Sequence, residues 1–146
     1  MLDRFEKFSY FISEISHHWH KIANDVMNEY GLKGPHSVYF TTLYRCPDGV
    51  TATKLGELCS RDKADVSRAV SIMEKKGLVI KEGTNYRALL KLTKEGENIA
   101  RQIKSRAEAA VEYGGTGLTD EQRNAFYFAI EVICGNLQEL SRKGLE

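Results

Sequence analysis

The sequence predicts a mainly α-helical protein with a small β-hairpin, in the α+β class. Three observations support this class. Apolar residues recur every three or four positions over most of the chain, helix caps and glycine stops separate those runs, and one pair of short apolar runs has the pattern of paired strands. The 146 residues suit one domain of ordinary size.

The N-terminal segment is predicted to form an amphipathic helix. Its apolar residues step alternately by three and four positions, which places them in a narrow seam along one side of a helix. The pattern ends at "EYGLKGP", where Gly31 and Gly34 are stop signals and Pro35 can open the next helix. The seam comprises Phe5, Phe8, Ile12, Ile15, Trp19, Ile22 and Val26.

Three shorter helices are predicted in the middle of the chain. "HSVYFTTLYRC" forms the first, which the "CPDG" turn ends. Thr51 caps the second, with Leu55 and Leu58 pointing inward. After "SRD", Asp62 caps the third, "DKADVSRAVSIMEKKG", and Gly77 ends it. Its buried face is expected to hold Val66, Val70 and Met73.

A β-hairpin and two long helices complete the chain. "LVIKE" and "ALLKL" are short apolar runs joined by "GTNYR". Thr93 caps a long helix that "GGTG" breaks, and Thr119 with Gln122 forms a capping box for the last helix. The seam of that helix comprises Phe126, Ile130, Ile133, Leu137 and Leu140.

This order of elements predicts a winged helix–turn–helix with N- and C-terminal dimerisation helices, in one chain spanning residues 1–146. We expect residues 35–93 to form the winged lobe and residues 1–30 and 94–142 to form the helical dimerisation module. Narrow apolar seams are most simply covered by each other and by a second copy of the chain. The sequence therefore predicts a homodimer.

The charge distribution favours a nucleic-acid partner. The net charge is only +1, but residues 54–106 carry 13 basic and 7 acidic side chains, a net +6. Such a basic middle indicates a module that faces a polyanion. No run of about 18 apolar residues and no signal-peptide pattern occurs. We therefore expect a cytoplasmic protein without membrane contact.

The third of the middle helices is the predicted recognition helix. In a helix–turn–helix this helix enters the major groove and its first turns reach the bases. Arg68 can contact guanine with two hydrogen bonds, Ser67 can bond a base or a phosphate, and Arg61 and Lys63 suit phosphates. Asp65 has three readings: an acceptor from a cytosine amine, a partner that orients Arg68, or an ordinary helix-cap acid. The predicted DNA-contacting residues are Arg61, Lys63, Ala64, Asp65, Ser67 and Arg68, with Lys81, Asn85, Tyr86 and Arg87 around the wing tip, where a basic residue can enter the minor groove.

At these residues the chain resembles the MarR family of bacterial transcriptional regulators. The match runs from "TKLGELCSRDKADVSRAVSIMEKKGLV" through the wing to "LKLTKEG", and the terminal helices match in order and length. The resemblance implies a homodimer that reads a near-palindromic operator in double-stranded DNA. It also implies a repressor that a small molecule, a metal or an oxidant releases from the operator. Gly56, Arg61 and Asn85 depart from the family pattern, which usually has alanine, an apolar residue and aspartate there.

The stretch "EISHHWHKIA" raises the alternative of a metal-sensing regulator. His17 and His20 lie about 60° apart on one flank of the predicted helix and His18 on the other. Two histidines do not make a zinc site without a further ligand such as His36. The more economical reading makes the three histidines of this stretch polar flanks of a packed helix. The functional alternative places His17, His18, His20, His36 and Tyr39 along an effector pocket, with no bound metal and no cofactor.

Other function classes receive less support from the sequence. Cys46, Cys59 and Cys134 are far apart and are expected to be reduced thiols, with Cys46 as the alternative redox sensor. No catalytic motif is present, so we expect no enzyme. A winged helix used for protein contacts instead of DNA remains an alternative, against which the basic middle argues.

Overall fold

The computed structural model describes residues 1–145, apart from the side chain of Tyr86. The described chain divides into two compact units, residues 1–107 and the residues from Glu108 onward. The larger unit contains the core and the β-hairpin. The smaller unit contains the end of one long helix and the whole of the last one.

The elements follow the expected order. A 3₁₀ turn at Gly34–His36 precedes the second helix, with Pro35 in its first positions. Antiparallel strands β1 and β2 pair Val79 with Leu92 and Lys81 with Leu90. The helices are α1 (Arg4–Asn28), α2 (Ser37–Tyr44), α3 (Ala52–Cys59), α4 (Lys63–Lys75), α5 (Lys94–Gly114) and α6 (Asp120–Lys143), and the strands are β1 (Val79–Glu82) and β2 (Leu89–Leu92).

The predicted helix caps are present. The Thr51 side chain accepts a hydrogen bond from the N–H of Lys54 at 3.2 Å, and the Asp62 carboxylate accepts one from the N–H of Asp65 at 2.7 Å. Thr119 forms a reciprocal capping box with residue 122 at the start of α6. These bonds satisfy N–H groups that would otherwise lack partners at the first turn of each helix.

The core lies between the end of α1, helices α2 to α4, the hairpin and the first half of α5. On α4, Val66, Val70 and Met73 are buried as expected. On α3, only one of the two leucines expected to point inward is buried. Leu55 is fully buried, whereas Leu58 is 44% exposed and Cys59 takes the inward position. An eight-residue helix has only two turns, so its sequence periodicity does not fix which flank its neighbours cover.

Gly96 sets the junction between the hairpin and α5. A Cβ atom built at this position would lie 2.1 Å from the carbonyl oxygen of Leu78. Thr93 Oγ1 donates to the carbonyl of Gly77 at 2.7 Å and accepts from the N–H of Gly96 at 3.1 Å. The first turn of α5 is therefore packed directly on the backbone that leads into β1.

The apolar seams of the terminal helices are uncovered in the single chain. On α1, Phe5 is 74% exposed, and the seam residues up to Ile22 are also exposed. On α6 no residue is buried, and all five residues of its seam are exposed. Soluble monomers rarely expose apolar patches of this length. No described helix has the length and apolar character needed to cross a membrane.

Candidate nucleic-acid interface

The first turns of α4 present an exposed cluster of predicted DNA-contacting residues. Burial of one face of α4 leaves Lys63, Ala64, Ser67 and Arg68 exposed. Neither Lys63 nor Arg68 has an ion-pair partner among the described residues. Two unpaired cations and a hydroxyl at the start of one helix can bind phosphates and base edges without breaking existing contacts.

A broad groove with a volume of about 920 Å³ lies beside this surface. It runs between α3, α4 and the base of the hairpin. Arg61, Lys63, Ser67 and Lys81 line it, as expected for a continuous surface. It also includes Thr53, Ser71 and Lys75, which the sequence interpretation missed. The helical period of α4 could have indicated Ser71, which follows Ser67 by four positions and shares its face.

Gly56 is explained by the turn between α3 and α4. A Cβ atom at Gly56 would lie 3.0 Å from the carbonyl oxygen of Arg61 and 3.3 Å from Val66 Cγ2. The N–H of Arg61 donates to the Gly56 carbonyl at 2.9 Å. The turn passes so close to α3 that glycine, instead of the alanine of the family pattern, fits this spacing.

Asp65 does not lie with the exposed residues. Its side chain is one-third exposed, and its Oδ2 lies 3.9 Å from Nε of Arg61. The described structure thus pairs Asp65 with Arg61 and not with Arg68. His36 and Tyr39 are both buried, and the Asp65 charge acts on the ionisation of each of them.

Burial is the main cause of the pKa shifts of His36 and Tyr39. Burial lowers the pKa of His36, and the Asp65 carboxylate partly opposes this shift. Nδ1 of His36 accepts a hydrogen bond from the N–H of Lys33 at 3.2 Å, which suits a neutral ring. Burial also raises the pKa of the Tyr39 phenol, and Asp65 raises it further as an acceptor and by its charge.

The wing is short, and the predicted wing residues are spread along it. Lys81 lies on β1 instead of at the tip, and its Nζ is 3.1 Å from Glu74 Oε1 on α4. Asn85 and Arg87 lie in a 3₁₀ turn at the tip, where Asn85 has a φ of +61°. Asparagine adopts this left-handed conformation more readily than most residues. The side chain of Tyr86 lies outside the described part of the structure.

The residues predicted for an effector pocket are not brought together. His17, His18 and His20 are exposed on α1, where His18 Nε2 lies 3.6 Å from Glu14 Oε2. His36 and Tyr39 are instead buried near the start of α4. No group of three or more histidine, cysteine or acidic side chains in the described residues is arranged to hold a metal ion.

A separate apolar groove of about 250 Å³ lies between α1, α2 and α5. Trp19 lines it, although the histidines beside it in sequence do not. Arg106 is the charged residue among the described residues that line it, and Arg106 Nη1 lies 2.8 Å from Glu29 Oε1. The remaining lining residues are Ile22, Ala23, Val26, Met27, Ser37, Val38, Thr41, Ile103 and Ala107.

The fold and the exposed surface of α4 define a winged helix–turn–helix protein with long terminal helices. No protein-family model matches the sequence, and no curated protein matches it either. Many solved structures, however, have a fold similar to that of this chain. A MarR protein from Peptoclostridium difficile has a TM-score of 0.84 at 20% identity, covering 98% of this chain and 96% of that one.

Two further similar structures contain DNA. A putative MarR family regulator from Listeria monocytogenes, complexed with 26mer DNA, has a TM-score of 0.81 at 23% identity and covers 100% of this chain and 98% of that one. The Staphylococcus aureus MepR–DNA complex has a TM-score of 0.79 at 18% identity, with coverages of 88% and 97%. The chain therefore has the fold of the MarR family of transcriptional regulators, and the expected α+β winged helix–turn–helix class is confirmed.

Proposed function

We propose that this protein is a sequence-specific regulator of transcription that binds double-stranded DNA as a homodimer and inserts residues 62–76 into the major groove. The observation that carries the proposal is the pair of unpaired cations, Lys63 and Arg68, on the exposed first turns of α4. They lie in the segment of the chain with a net charge of +6. Proteins of the same fold in Listeria monocytogenes and Staphylococcus aureus have been solved with DNA. A protein with this target would act in the cytoplasm, most simply as a repressor of a near-palindromic operator.

The salt dependence of DNA binding tests the proposal. The logarithm of the affinity for a fragment selected from genomic DNA should fall linearly with the logarithm of salt, by about 0.9 for each phosphate neutralised. Fluorescence anisotropy over a salt series measures this slope. Lack of binding to any selected fragment, or an affinity independent of salt, would contradict a DNA-binding function.

Two variants separate the roles of the cations within that experiment. Lys63→Ala should weaken binding to all fragments and reduce the salt slope by about one phosphate contact. Arg68→Ala should cost about 1–3 kcal/mol at one base pair and relax the preference there. Equal losses on every sequence from both variants would argue against this division of roles.

We further propose that the apolar groove lined by Trp19 binds a small lipophilic effector. Its volume is slightly below the range of about 300–1,000 Å³ typical of ligand pockets, so a compound of one or two rings would fit. The hydroxyl-bearing residues Ser37 and Thr41 and the cation Arg106 offer the few polar contacts that orient a ligand. Since α2 forms one side of this groove, a bound ligand would bear on the winged lobe.

Filling the groove should weaken the binding of such a ligand. Trp19 is the only tryptophan of the chain, so its fluorescence reports occupancy of the groove. In a titration with a panel of phenols, Ala23→Phe should weaken binding at least about tenfold, because the added ring occupies the ligand volume. Ala109→Phe adds the same ring at an exposed position of α5 that does not line the groove. Equal affinities of the wild type, Ala23→Phe and Ala109→Phe for these phenols would rule out the groove as the ligand-binding site.

A further inference from the structure

The corner between α5 and α6 is held by polar groups and not by a hydrophobic core. Among the described residues from Val111 to Leu145, only Gly115 and Arg123 are partly buried, and all the others are exposed. Both of these residues lie at the corner itself, one at the end of α5 and one near the start of α6. The angle between the two helices therefore depends, in the single chain, on the contacts that these two residues make.

Arg123 closes the corner with its guanidinium group. Its Nη2 donates to the carbonyl oxygen of Gly115 at 3.0 Å and lies 3.5 Å from the carbonyl oxygen of Glu112. Its Nη1 lies 2.9 Å from Oε2 of the Glu112 side chain. The last carbonyls of a helix have no partners within it, and an arginine side chain can satisfy them. A side chain of α6 therefore caps the end of α5.

Gly115 leaves the space that the guanidinium group occupies. A Cβ atom at Gly115 would lie 2.8 Å from Cζ and 2.9 Å from Nε of Arg123. Gly115 is not among the glycines with a positive φ, so alanine suits its backbone. The atoms in the way are the end of a flexible side chain, which can move aside. Alanine at this position would therefore displace the guanidinium group without forcing the backbone to move.

The position of the corner in the chain connects it with DNA binding. In chain order, α5 leads from the hairpin to the corner, and α6 with its apolar seam follows. A dimer that reads two half-sites must hold its two recognition helices at one separation, because the half-sites lie about one turn of DNA apart or a multiple of it. If the seam of α6 is the dimer contact, the angle of the corner contributes to that separation.

We propose that Arg123 is a positioning residue that fixes the angle of the α5–α6 corner, and that the preference of the dimer for one half-site spacing depends on it. The inference rests on the proposed function, a homodimer that binds DNA. It assigns Arg123 no contact with DNA. It also gives a reason for glycine at position 115, where a side chain would exclude the guanidinium group.

The test compares binding to the operator with binding to the same operator after one base pair is inserted between its half-sites. The insertion rotates one half-site relative to the other by about 35°. The wild type should therefore bind the inserted site at least about tenfold more weakly, because it engages both half-sites poorly. Arg123→Gln and Gly115→Ala should each reduce this ratio to about threefold or less, because a corner without its cap adjusts to either spacing.

Two matched controls should keep the wild-type ratio. Arg142→Gln makes the same change of charge at an exposed position of α6. Gly114→Ala adds the same methyl group next to Gly115, where a Cβ atom meets nothing within 4 Å. An Arg142→Gln variant that loses the spacing preference as Arg123→Gln does would overturn the proposal, because charge alone would then explain the effect.

The double variant decides whether Gly115→Ala acts through Arg123. In the Arg123→Gln background, Gly115→Ala should change the spacing ratio no further. An Arg123→Gln variant that keeps the wild-type ratio would overturn the proposal. Variants that scatter light as monomers would overturn it too, because the corner would then maintain the dimer itself and not its spacing.

Hydrogen exchange of the free protein makes the test independent of DNA. The N–H of Leu118 donates to the Gly115 carbonyl oxygen at 3.0 Å, and the same oxygen accepts from Arg123. The Leu118 amide should exchange faster in Arg123→Gln and in Gly115→Ala than in the wild type and both controls. Unchanged exchange in both variants would refute the role of Arg123. A wild-type protein that binds no DNA would refute the proposed function instead, while faster exchange would still establish that Arg123 fixes the corner.

Discussion

Replacing Gly96 with alanine is expected to lower the free energy of unfolding by at least about 3 kcal/mol, the upper end of the usual cost of overpacking. The added Cβ would lie 2.1 Å from the Leu78 carbonyl oxygen. The obstacle is backbone and not the end of a flexible side chain, so the first turn of α5 must move. That movement would strain the hydrogen bonds of Thr93 to Gly77 and Gly96. Urea denaturation followed by circular dichroism measures the change.

Gly114→Ala is the matched control for this substitution. Gly114 ends the same helix, and a Cβ atom there meets nothing within 4 Å. Alanine also has a higher helix propensity than glycine, by about 1 kcal/mol. Gly114→Ala should therefore leave stability unchanged or raise it. A Gly96→Ala variant as stable as Gly114→Ala would show that the junction between the hairpin and α5 yields easily.

Replacing Ile133 with glutamate should convert the proposed dimer to monomers and reduce operator affinity by about a hundredfold or more, because two linked half-site contacts become independent. Ile133 lies in the middle of the α6 seam, and it is exposed in the single chain. Burying an unpaired carboxylate in the apolar dimer contact would cost several kcal/mol. This cost would offset much of the free energy gained by burying the apolar seam. Light scattering of the variant should give half the mass of the wild type.

Asn124→Glu adds the same side chain to the opposite face of α6. It should preserve both the mass and the operator affinity of the wild type. A wild-type protein that scatters as a monomer at micromolar concentration would contradict the dimer directly. Dissociation of both variants would indicate that α6 is covered on more than its seam.

The local features of the fold were predictable because they depend on neighbouring residues. A cap such as Asp62 and a seam such as that of α6 are determined within one or two helical turns, and periodicity reveals them. The orientation of Leu58 was not predictable, because it depends on which elements pack against a two-turn helix. The sequence also left three readings of Asp65 open, and none of them paired it with Arg61, four positions earlier in the turn before α4.

The candidate sites also contain one part that the sequence could predict and one part that depends on tertiary packing. The exposed side of α4 followed from its buried residues, so Lys63 and Arg68 could be named from the sequence. The apolar groove could not be located, because the histidines flank Trp19 in sequence but are not among the residues that line the groove with it. Adjacent residues on a helix diverge by 100°, and only tertiary packing decides which of them borders a groove.

The uncovered seam of α6 would link the activity of this protein to its abundance if a second copy of the chain covers it. A helix that buries no residue in the single chain gains most of its stabilisation only when another molecule covers it. If that molecule is a second copy, mass action makes both folding and operator occupancy depend on total concentration. A DNA-binding dimer built in this way would occupy its operator more steeply than in direct proportion to its total concentration.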